Sequence, residues 1–270
     1  MATYSFPKLT ECALCLSKSP LKESHIIPKF FGRELKKKSN SQTLVDGINP
    51  QKNPKPQDIA KEYLLCGQCE SRFSNWETSF RNKVMPANKS LLVPIGYDDW
   101  MLKFAVSISW RVLAYLKYAR PYKENEVSSK ELITYFPALD KGFHPDAEIA
   151  LETWGKFLLD PTNVISPYDQ YFIVLNGNNF PPENCNLAGF TIYQSDKVVA
   201  THAFMGQFIV LGIINQTAPD LWVNTMIKSG SGQIGLQQSI PSTYASWLES
   251  YFAEIENVSI ADWQRRKKLP

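Results

Sequence analysis

Two Cys-x-x-Cys pairs, Cys12/Cys15 and Cys66/Cys69, restrict the fold open to this chain more than anything else in it. Cysteines at this spacing form a tight knuckle, and two knuckles can close four sulfurs around one tetrahedral zinc ion. The metal then closes a loop, which carries Glu23-Ser24-His25-Ile26-Ile27-Pro28. A histidine held there is a candidate for chemistry as well as for structure. A disulfide scaffold is the competing use of four cysteines. The start of the chain, Met-Ala-Thr-Tyr-Ser-Phe-Pro-Lys, lacks the basic and apolar stretches of a secretory leader, and the cysteine count of five is odd. A reducing, cytoplasmic setting is therefore expected, where paired cysteines bind metal. The fifth cysteine, Cys185, lies in a Pro- and Asn-rich stretch and is read as a bystander thiol.

A length of 270 residues allows one large domain or two modest ones. A hydrophobic content of 44% with 20% charged residues fits a chain that buries a core, and argues against disorder for the bulk of it. The net charge of +3 is small but unevenly spread. Lys29, Arg33, Lys36, Lys37 and Lys38 fall within ten residues, directly after the histidine segment, and Arg265, Arg266, Lys267 and Lys268 close the chain. Alone, such runs are solvated helix ends and tails. Beside a zinc module, the first run is a candidate phosphate contact. No membrane span is expected, because the longest apolar stretch, Phe104 to Leu116, is short and contains Arg111. It reads as a buried helix.

The pattern predicts an α+β chain in two parts. Residues 1–85 form the metal module: a knuckle at the tip of a short hairpin, a strand over Lys22 to Ile27 ended by Pro28, and a short helix from Phe30 to Lys38. A long loop over 39–58, rich in Asn, Gln and Pro, leads to a second knuckle that opens a helix over about Glu70 to Asn82. Phe73, Trp76, Glu77 and Phe80 share one face of that helix. Residues 86–270 form an α+β domain, with helices within 98–160, antiparallel strands within 168–215 and a terminal helix over 243–257. Asp98 and Asp99 are expected to cap the first of these helices, and a further helix is expected over Ser129 to Phe136. Trp110-Arg111 reads as a buried tryptophan beside an arginine with an ion-pair partner.

The Ser-His-Ile-Ile-Pro segment between two knuckles, with Leu65-Cys66-Gly67-Gln68-Cys69-Glu70 leading into a helix, resembles the HNH endonuclease family over about a quarter of the chain. The resemblance implies a ββα-metal, treble-clef module with structural Zn²⁺ on Cys12, Cys15, Cys66 and Cys69. It places His25 as the general base that takes a proton from water aimed at a phosphodiester. It also implies a separate Mg²⁺ or Mn²⁺ to absorb phosphate charge. For that ion the family's positions fall on Ser24, Glu70 and Ser74. Glu70 can bind a hard cation, Glu77 is a possible second carboxylate, and Asp58 or Asn53 stands nearest the family's middle asparagine. Ser24 and Ser74 depart from the family's ligands.

Two functions follow as expectations. The first is a metal-dependent endonuclease acting on DNA, or on RNA, of the kind found in bacterial restriction or anti-phage systems. Lys29, Arg33, Lys36, Lys37 and Lys38 would grip the backbone in such an enzyme. The second is a non-catalytic zinc module that binds nucleic acid or a partner protein of such a defence system, with His25 bracing the zinc loop. His144, in a Gly-Phe-His-Pro turn, and His202, in an alternating strand, are read as structural. A function residing in residues 86–270 has no motif to support it.

Overall fold

The computed structural model describes residues 9–38, 43–46, 60–87, 94–118, 145–175, 187–217, 222, 224–234, 238 and 240–253. The elements are β1 (Leu21–His25), α1 (Lys29–Lys38), β2 (Thr43–Asp46), β3 (Lys61–Cys66), α2 (Gly67–Ala87), β4 (Ile95–Tyr97), α3 (Trp100–Tyr118), α4 (Pro145–Leu159), β5 (Gln170–Val174), β6 (Leu187–Gln194), β7 (Val198–Met205), β8 (Phe208–Gln216) and β9 (Gly232–Ile234). A last helix covers residues 242–253. The helix expected over Ser129 to Phe136 lies outside the described residues, as do Cys185, His144, Asn53 and Asp58.

A five-stranded sheet in the order β2-β6-β7-β8-β5 organises the chain. Strands β6, β7, β8 and β5 are mutually antiparallel, while β2 joins the edge parallel to β6, pairing Thr43 with Leu187 and Asp46 with Phe190. The stretch over 39–58, expected to be loop throughout, therefore contributes a strand to the sheet. Its four residues carry no strand signal that outweighs the Asn- and Pro-rich surroundings. The pairing that orders them comes from a strand more than a hundred residues away.

Side-chain alternation buries both faces of this sheet. Phe172, Val174, Phe208 and Val210 face one core, built with α2, α3 and α4. Tyr171, Ile173, Ile209 and Leu211 face the other, built with the 242–253 helix and Trp222. Helix α3 is apolar around most of its circumference because it lies between the sheet and the other helices. It comes so close at Gly212 that a Cβ there would meet Ser109 Oγ at 2.5 Å. Ser109 in turn donates to Gln170 Oε1 at 2.6 Å, which satisfies a buried polar pair. Asp99 directly precedes α3, but its Oδ1 accepts from the Gly230 N–H, so it ties a later loop to the helix start. No helix among the described residues is long and apolar enough to cross a membrane.

The knuckle region packs into the first core. Cys12, Cys66 and Cys69 are buried in one continuous cluster with Ile26, Ile27, Phe73, Phe104 and Trp154. Strands β1 and β3 form a two-stranded antiparallel sheet, with Leu21 opposite Cys66 and His25 opposite Lys61. Pro28 ends the extended run, and Ile26 and Ile27 are wholly buried. Phe31 of α1 packs on Phe80 of α2 and Phe208 of β8, with centroids 5.6 and 6.3 Å away. At the far end of α2's first turns, Arg72 Nη1 donates to the carbonyls of Leu158 and Leu159 at 2.9 and 3.2 Å, satisfying the C-terminus of α4.

Candidate metal centre and the histidine beside it

Four sulfurs converge. The Sγ atoms of Cys12, Cys15, Cys66 and Cys69 all lie within 4.8 Å of one another, and the thiols are free. Cys15 and Cys66 are 3.7 Å apart, far beyond a disulfide bond. Zinc–sulfur bonds of ~2.3 Å in a tetrahedron set sulfurs about 3.8 Å apart, the separation at which Cys15 and Cys66 stand. The first knuckle is closed by the bonds from Cys12 N to Ser17 O and from Leu16 N to Cys12 O. Leu16 takes a left-handed φ of 58°. It is fastened to the second knuckle's strand by Ala13 N to Leu64 O at 2.9 Å. The second knuckle opens α2, whose first residues are Gly67-Gln68-Cys69-Glu70.

Burial and mutual contact set the acidities of three of the thiols apart. Burial opposes ionisation of Cys66, but the Cys69 backbone N–H and the neighbouring thiols pull it down to about 7. Burial and the adjacent sulfurs push Cys69 far up, and burial raises Cys15. One thiolate is favoured and further ones are suppressed, a conflict that a dication among the sulfurs removes. The four cysteines can thus hold a metal ion such as zinc. A four-cysteine cluster is common to many zinc modules and does not by itself indicate an activity.

The last two residues of β1 are fixed by different means. Ser24 is fully buried and donates through Oγ to Glu70 Oε2 at 2.6 Å. The His25 carbonyl accepts from Arg111 Nη1 at 2.7 Å, and the residue is half-buried. Arg111 Nη1 also meets Glu77 Oε1 at 2.8 Å, so the ion-pair partner expected for Arg111 is Glu77. Burial pushes the Glu77 carboxyl up, while the Arg111 charge and hydrogen bond pull it back. The Arg111 guanidinium does not release its proton and stands at ion-pair distance from the Glu77 carboxyl. Glu70 and Glu77, two turns apart on α2, therefore serve different partners: Glu70 meets Ser24, and Glu77 is occupied by Arg111.

The remaining predicted residues are placed as follows. Lys29 and Arg33 are exposed on the first turns of α1, four residues apart and hence on one face. Lys36, Lys37 and Lys38 continue that helix, and their side chains fall outside the described residues. Ser74 is exposed on α2 and takes no part in the Ser24–Glu70 contact. The residue missed as a member of this site is Arg111, whose signal in the sequence is a lone charge in an apolar helix.

His202 lies apart from this site, on the other face of the large sheet. Its Nε2 is 2.8 Å from the Tyr244 hydroxyl, and its Nδ1 has no partner. Burial lowers its pKa to about 3 and raises that of Tyr244. The sign follows. The unfolded chain binds a proton below about 6.5 while the folded chain does not, so stability falls as pH drops from 6.5 toward 3. At pH 4.5 the loss is about 3 kcal/mol, from about two pH units at 1.36 kcal/mol each. His202→Gln is expected to flatten this limb in urea melts taken between pH 7 and 4.5. An unchanged limb would assign it to other groups.

Comparison with protein-family models, with curated proteins and with solved structures finds no match to this chain.

Proposed function

We propose that the protein is a metal-dependent phosphodiester hydrolase of the HNH kind, in which a structural zinc on the four cysteines supports a site built from Ser24, His25 and Glu70. The observation that carries this reading is the 2.6 Å hydrogen bond from Ser24 to Glu70. It brings the residue before the histidine against the first residue after the second knuckle. In the resemblance drawn from the sequence, these two positions flank the hard cation.

The chemistry divides as follows. Glu70 offers carboxylate oxygens to a divalent cation, and the buried Ser24 hydroxyl orients that carboxylate. His25, at the end of β1, removes a proton from the attacking water, which requires a neutral imidazole near pH 7. A divalent cation supplies charge stabilisation on the phosphate oxygens. Lys29 and Arg33 hold the backbone of a DNA substrate from the adjoining helix face, giving salt-dependent and sequence-independent affinity.

A second reading is favoured by one specific observation. With Glu77 engaged by Arg111, Glu70 is the candidate carboxylate left for a cation among the described residues, and Ser24 is a weak ligand. A zinc module that binds nucleic acid without cutting it would have these features. The test is cleavage of supercoiled plasmid and of single-stranded DNA in Mg²⁺, Mn²⁺ or EDTA. Metal-dependent cleavage that falls on the order of 100-fold or more in His25→Ala, at unchanged zinc content, supports hydrolysis. Retention of DNA by a protein that never cuts it supports the binding module.

A further inference from the structure

Arg111 has no task in the hydrolysis just outlined, yet it is the one permanent charge in the buried polar set among the described residues, at 1% exposure. It stands in the middle of α3 between Trp110 and Val112, both buried. Desolvating a guanidinium there is costly, and an apolar pair in place of an ion pair often serves a core equally well or better. Stability alone therefore does not account for it.

Its contacts converge on the histidine segment. Nε donates to the Ser107 carbonyl of its own helix at 3.2 Å, and the guanidinium carbon lies 5.4 Å from the Phe73 ring centroid. Nη1 reaches both the His25 carbonyl and Glu77. Nη2, in contrast, is buried without a partner. An unsatisfied buried donor is tolerated where the group is held for another purpose. The result is a clamp on two consecutive residues. The Ser24 side chain is held by Glu70 at the start of α2, and the His25 main chain is held by Arg111, which is itself held by Glu77 two turns further along α2.

We infer that Arg111 is the positioning residue of the site: it fixes where the His25 imidazole stands by holding the His25 carbonyl, and Glu77 keeps the guanidinium on that carbonyl. This rests on the hydrolytic reading for its catalytic consequence. The geometric part does not. A misplacement of about 1 Å can lower a rate on the order of 100-fold, so the contact matters without touching substrate.

The experiment uses the full chain with two variants. Arg111→Met/Glu77→Leu replaces the pair by apolar groups and is expected to retain fold and zinc. Arg111→Lys keeps the charge but is shorter and lacks the Nε that anchors the group on the Ser107 carbonyl while Nη1 reaches His25 and Glu77, and it serves if the double variant does not fold. Steady-state cleavage of a short duplex with Mn²⁺ is expected to show kcat reduced about 10- to 100-fold with KM changed by less than about 2-fold. The imidazole ¹⁵N signals of His25, identified by their loss in His25→Ala, are expected to move in both variants. A folded variant with wild-type kcat and unmoved His25 signals overturns the inference. If the wild-type protein cuts nothing, the hydrolytic reading fails separately. The His25 signals then decide alone, displaced signals upholding the positioning role and unmoved signals overturning it.

Discussion

Cys69→Ser is expected to release the metal and unfold the chain well below the wild-type melting temperature. Cys69 is 2% exposed and sits in the same cluster of buried residues as α3 and α4, so its loss is not confined to the knuckle. Serine supplies no thiolate and leaves three sulfurs for a tetrahedral ion. Structural zinc in small modules contributes on the order of 10 kcal/mol of apparent binding free energy, all of it coupled to folding. That is comparable to the whole margin of a domain, about 5–15 kcal/mol in total. Elemental analysis should show about one zinc per wild-type chain and much less in the variant, from the four-ligand stoichiometry. Thermal melts with and without a chelator should show the wild type losing stability on chelation and the variant insensitive to it. Wild-type protein that melts unchanged in chelator would mean that the four thiols pack as small apolar groups and hold no metal.

Glu77→Ala is expected to cost about 3–5 kcal/mol, because it strands a buried guanidinium. Arg111 lies 2.8 Å from Glu77 at 1% side-chain exposure, against 18% for Glu77, so solvent screens the pair little. Removing both charges is a different matter. Arg111→Met/Glu77→Ala should recover most of the loss, since the Met side chain fills the space on the Phe73 ring and no charge remains to be solvated. Urea denaturation of the two single variants and the double variant closes the cycle. Additive losses would show that the pair makes no mutual contribution, and that Arg111 is stabilised by the His25 and Ser107 carbonyls alone.

The four-cysteine cluster was legible because its signal is local. Two-residue cysteine spacing dictates the knuckle, and the second knuckle's entry into a helix follows from the pattern after Cys69. Strands β5 to β8 were legible from alternating and β-branched runs, and α3 from its apolar circumference. What escaped is non-local. Ser24 and Glu70 are 46 residues apart, and each could be assigned a role, but not a hydrogen bond to the other. Arg111 and His25 are 86 residues apart, and nothing in either neighbourhood names the other. The expected ion-pair partner of Arg111 had a residue type but no position until α2 and α3 were packed together. Strand β2 escaped for the same reason, since four residues in a Pro-rich stretch gain their order from β6. Glu77, read as a possible metal ligand from its place on α2, is held by Arg111, a contact that helical periodicity cannot reveal.

The most direct measurement is anomalous scattering from crystals soaked in Mn²⁺, with data at the zinc and manganese edges. The proposed function predicts a zinc peak enclosed by Cys12, Cys15, Cys66 and Cys69. It also predicts a separate manganese peak beside Glu70 and His25, which Glu70→Gln abolishes while leaving the zinc peak in place. A zinc peak alone, with no manganese beside Glu70 at saturating concentration, would contradict a hydrolytic site and leave a zinc-supported binding module.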